Sequence, residues 1–76
     1  MTVRNLTGFA GACQDAMNAV LDAIAAVGEE RQGHLKDAKL AVDRALHLAH
    51  SAEEWYLAEQ VRRGIKEVEA HAGHAA

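Results

Sequence analysis

Between Gly33 and Gly64 the sequence contains neither glycine nor proline, yet its apolar positions change face partway along. At about 100° per residue, Leu35, Ala38, Val42, Ala45, Ala49, Ala52 and Tyr56 share one face of a helix. Leu57, Val61, Ile65 and Val68 line up on a second face, rotated by roughly 150° from the first. Two folds satisfy this pattern. In one, a single helix runs straight through, its first half packed on an earlier helix and its second half facing another partner. In the other, the chain turns at Ser51. Ser51 is then the N-cap, Glu54 three residues on completes a capping box, and a third helix folds back to make a three-helix bundle.

The straight helix is the preferred reading. A reversal usually takes 2–8 loop residues, and Ala49, Ala52, Glu53 and Glu54 are all content within a helix. Upstream, Leu6, Phe9, Cys13, Ala16, Val20, Ile24 and Val27 recur at three- and four-residue steps, widened by Met17, which predicts a first helix over residues 5–27. Asn5 or Thr7 could cap its start, and Gly28 is placed to end it. GEERQG, residues 28–33, reads as a loop that sets the two helices antiparallel. The expected fold is therefore all-α: one domain over 1–76, an antiparallel hairpin with a long second helix at 34–71 and a fraying tail at 72–76. The projecting stripe of Leu57, Val61, Ile65 and Val68 then needs cover, and a second copy in a symmetric dimer is the simplest source. On this reading, Ile65→Glu gives a folded monomer.

Composition agrees with a helical fold and explains the need for a partner. Half of the 76 residues are hydrophobic, but 17 residues are alanine, which buries little area. Small chains with such thin cores often gain stability by oligomerising. The alanines fall in rows, Ala16, Ala19, Ala23 and Ala26 on one helix and Ala38, Ala41, Ala45, Ala49 and Ala52 on the next. Such rows let two backbones approach closely.

The net charge of −3, with acids and bases interspersed, argues against a nucleic-acid partner. Arg62, Arg63 and Lys66 form only a small basic patch, flanked by Glu59, Glu67 and Glu69. No apolar run approaches the ~20 residues a membrane span requires, and MTVRNLTGFAG lacks a signal-peptide core. The expectation is a cytoplasmic protein with neither membrane nor nucleic acid as partner.

Residues that could carry chemistry are sparse. Ser51 is the one serine, and Cys13 lies on an apolar stripe where a free thiol behaves as a small hydrophobe. No phosphate-cradling glycine loop is present. Asp43, His47, His50 and Glu54 share one face of a continuous helix at steps of four, three and four, which is the sharpest chemical alternative, a metal-binding protein. Paired motifs such as HExxH or CxxC are missing, so the face reads first as a solvated polar stripe, with no cofactor, no metal and no enzymatic activity expected. The function expected from the sequence is protein–protein interaction without chemistry: a homodimeric adaptor, or a stoichiometric inhibitor docking on a larger complex. Leu57, Val61, Ile65 and Val68 would form the apolar centre of its interface, with Trp55 as an aromatic anchor and Arg62 and Arg63 in the polar rim.

Overall fold

The computed structural model describes residues 8–74, with side chains as far as His71. Three helices follow one another: α1 at Phe9–Ala25, α2 at Gly28–Leu48 and α3 at Ala52–His74. The arrangement is a three-helix bundle, the alternative that the sequence left second. Asp15 pairs with Arg44 while Asp22 lies beside His34 and Asp37, so α1 and α2 run antiparallel. Lys39 pairs with Glu69 while Asp43 lies beside Arg62, so α2 and α3 are antiparallel too. α1 and α3 therefore run side by side in the same direction.

The turn before α3 is made by Ala49, His50 and Ser51, without glycine or proline. Side chains supply what those residues would have supplied. Ser51 Oγ accepts the Glu54 N–H at 3.1 Å, and Glu54 Oε1 accepts the His50 N–H at 2.8 Å. The Ser51 carbonyl accepts the Trp55 N–H at 3.0 Å and opens the helical ladder. These bonds satisfy donors that a helix start would leave orphaned. This reciprocal cap breaks the long helix expected over 34–71, because a local polar exchange outweighed the helix propensity of the alanines around it. Ser51→Ala is expected to cost about 1 kcal/mol and Ser51→Gly only a few tenths. Urea unfolding of both variants checks this. A larger loss for glycine than for alanine would mean that Ser51 sits in a helix interior.

The first connection also differs from expectation. It is two residues, Ala26 and Val27, and residues 28–33 form the opening turns of α2 instead of a loop. Gly28 has φ +62°, the left-handed conformation that an L side chain resists, and this one residue makes so short a reversal possible. Arg31 completes it. Its Nε donates to the carbonyls of Ala23 at 3.1 Å and Ala26 at 2.9 Å, closing the end of α1 from the following helix. Glu29 and Glu30 lie in the first turn of α2, where acids complement the helix dipole. α1 begins at Phe9, and the proposed caps Asn5 and Thr7 lie outside the described residues. α3 continues through His71 to His74, so the helix reaches into the segment expected to fray.

The core is built from small residues. Ala12, Ala16, Ala23, Ala38, Ala45 and Ala58 are fully buried, with Ala26 and Ala41 nearly so. Among the described residues only Leu35, Val42 and Ile65 add large side chains to this buried set. The alanine rows of α1 and α2 thus meet, as their spacing suggested, and these two helices share the most extensive contact in the molecule. α3 contacts α2 less, and α1 least. Among the described residues, ion pairs join Asp15 to Arg44, Lys39 to Glu69 and Glu59 to Arg62.

Candidate protein-interaction surface

α1 has two apolar faces with different jobs. Its alanines point at α2. Met17, Leu21 and Ile24 lie roughly 140° around the helix from that row, and they are 49%, 63% and 57% exposed. Phe9, Cys13 and Val20 fall between the two faces and are partly buried against α3. α3 presents Ala58 and Ile65 to the core, Val61 and Val68 half-buried beside them, and Leu57 at 53% exposure.

Between α1 and α3 these side chains border a continuous apolar groove. Its upper part, about 380 Å³, lies between Phe9, Cys13 and Leu57. Its middle, about 320 Å³, is lined by Met17, Val20, Leu21, Gln60, Val61 and Gly64, none of them charged. At its lower end Ile24 and Val68 give way to the polar groups of Arg31, Glu67 and His71. The groove exists because α3 leans on α2 more than on α1, leaving the large face of α1 half covered.

The interface residues expected from the sequence do not form one surface. Leu57 and Val61 line the groove, and Val68 lies at its end. Ile65 is 1% exposed and belongs to the core, so it cannot be the centre of an interface. The turn at Ser51 is the reason: once α3 folds back, its own stripe covers the hairpin that the sequence reading had left it projecting beyond. Trp55 is half exposed, but it lies about 160° around α3 from Leu57, away from the groove. Arg62 is on the α2 side, its Nε bonded to Glu59 at 2.8 Å, and Arg63 faces solvent. The Arg62 guanidinium beside Glu59 holds that carboxyl below its usual range, and the carboxylate in turn raises Arg62. Met17, Leu21, Ile24, Gln60 and Gly64 are among the groove residues missing from the expected set, as are Phe9, Cys13 and Val20. The signal for Met17, Leu21 and Ile24 was present in α1, where the alanine row and the row of large side chains diverge.

The turn also dismantles the polar face proposed for a metal. His47 ends α2 and its Nδ1 donates to the Asp43 carbonyl at 3.0 Å. His50 sits in the turn, and Glu54 is engaged in the cap. Among the described residues no group of three or more histidine, cysteine or acidic side chains is placed to hold a metal ion. Burial, with the negative charge of Glu54 adding to it, pushes the Cys13 thiol above its ordinary value, away from the thiolate that nucleophilic chemistry needs. Among the described residues no helix is long and apolar enough to cross a membrane. In comparisons with known proteins, no family model, no curated protein and no solved structure matches the chain.

Proposed function

We propose that this chain is a non-enzymatic protein–protein interaction module, an adaptor or stoichiometric inhibitor that acts by bridging or occluding a larger complex, with the α1/α3 groove as its recognition surface. The observation that carries this reading is the placement of the large apolar side chains. Met17, Leu21 and Leu57 gather around the uncharged part of the groove, with Ile24 toward its polar end, and each is about half exposed or more. Their exposed area is on the order of 400 Å², within the range at which a contiguous patch marks an interaction site. A groove between two parallel helices fits an amphipathic helix, whose apolar face lies in the groove and whose polar face stays wet. Gln14 and Gln60 can hydrogen-bond along the edge without imposing a charge preference.

The test is affinity capture with the tagged full chain in its native host, comparing wild type, Leu21→Glu and Leu40→Glu. Leu40 is 61% exposed but lies on the α1/α2 side, so it controls for an added charge. The expected result is a stoichiometric partner retained by wild type and Leu40→Glu and lost with Leu21→Glu. If nothing retained, a second copy included, depends on Leu21, the groove is not a recognition surface.

A further inference from the structure

We infer that the α1/α3 groove is the seam between two copies of this chain, meeting face to face about a two-fold axis near Gly64; this rests on reading the groove as a recognition surface. The first support is an inversion of size. The buried apolar set is eight alanines with Leu35, Val42 and Ile65, while Met17, Leu21, Ile24, Val27, Leu40, Trp55, Tyr56 and Leu57 are exposed. A protomer whose fully buried residues are mostly alanine, with several large side chains about half exposed or more, has a thin core for a chain of this size. A partner that makes up such a deficit must be present whenever the chain is, and a second copy meets that condition.

Gly64 supplies an independent support. It lies midway along the groove in the interior of α3, where glycine weakens a helix. A Cβ built there meets nothing within 4 Å. Packing within the protomer therefore does not call for glycine at this position. The open space over it leaves room for another backbone to approach closely.

Charge leaves a second copy one face on which to dock. The chain carries a net charge of −3, which sets two copies against each other elsewhere on the surface. The middle of the groove is free of charge, so two copies meeting there bring no like charges together. Gln60 carries both donors and an acceptor, and can pair with its own copy across a two-fold axis. Area agrees as well. Exposed apolar surface on the order of 400 Å², with the half-buried residues around it, approaches the ~800 Å² per partner of a standard interface.

The experiment is the mass of the full chain by sedimentation equilibrium over a dilution series, with helicity followed by circular dichroism. Wild type and Leu40→Glu are expected to be dimers. Leu21→Glu is expected to be a helical monomer, because Leu21 is already 63% exposed in the protomer. Gly64→Ala, which adds a methyl group to open space and favours the helix, is expected to weaken dimerisation roughly tenfold or more. It keeps the test valid if Leu21→Glu does not fold. A wild-type monomer at every concentration overturns the inference, as does a dimer indifferent to both Leu21→Glu and Gly64→Ala. A wild-type monomer that still retains a host protein through Leu21 overturns the second copy alone and leaves the interaction reading standing.

Discussion

Ile65→Ala is expected to lower the unfolding free energy by about 2–5 kcal/mol, and Ile65→Glu to leave no folded population. Ile65 is 1% exposed and one of three large side chains in a buried set otherwise made of alanine. A single core in a domain of this size rarely contributes more than ~3–5 kcal/mol, so losing one of its three large members removes most of the margin. A buried carboxylate is worse, since burying a charge without a partner costs more than the cavity does. Urea unfolding followed by circular dichroism measures the first variant, and the helical signal of the second decides the rest. The hairpin reading expects the opposite of Ile65→Glu, a folded monomer. Observing that monomer would return Ile65 to the surface and contradict the turn at Ser51.

Ala16→Leu is expected to destabilise by about 1–3 kcal/mol, with Ala25→Leu near neutral. Ala16 is fully buried in the seam between α1 and α2, where neighbouring positions are alanine on both helices. Three extra carbons there force the axes apart and loosen every alanine contact along the seam. Ala25 is on the exposed side of the same helix, so the same change adds bulk without a clash. The difference between the two variants isolates close packing from helix propensity, which is alike for both. Equal stabilities would mean that α1 and α2 are not held at alanine distance.

The helical class, the alanine seam and the reversal near residue 28 were legible because each rests on a short periodic signal or a single glycine. The position of the second turn was legible as well, in the rotation of the stripe between Tyr56 and Leu57 and in the Ser51–Glu54 pair. What misled the reading was propensity. Ala49 to Glu54 contains no helix breaker, and the exchange of hydrogen bonds that ends one helix and starts the next depends on two side chains whose geometry no periodicity reports. The groove was harder still. Leu21 and Ile24 read as members of a helix's apolar side, and only the choice of alanine as the inward face turns them outward. Trp55 and Arg62 were drawn toward an interface by residue type. Their distance from the groove is set by the rotation of α3 about its axis, which follows from the seating of Ala58 and Ile65.

Connections as brief as Ala26–Val27 and Ala49–Ser51 keep two of the three helix pairs close along the chain, so little loop entropy is spent in closing the bundle. Helical folds of such low contact order form in microseconds to milliseconds. Encounter with another protein at micromolar concentration takes about a second at ordinary association rates. A partner therefore meets a chain that has already folded, and the rate at which complexes accumulate follows the folded fraction, not the speed of folding. Substitutions that thin the core would slow assembly without touching the surface where it occurs.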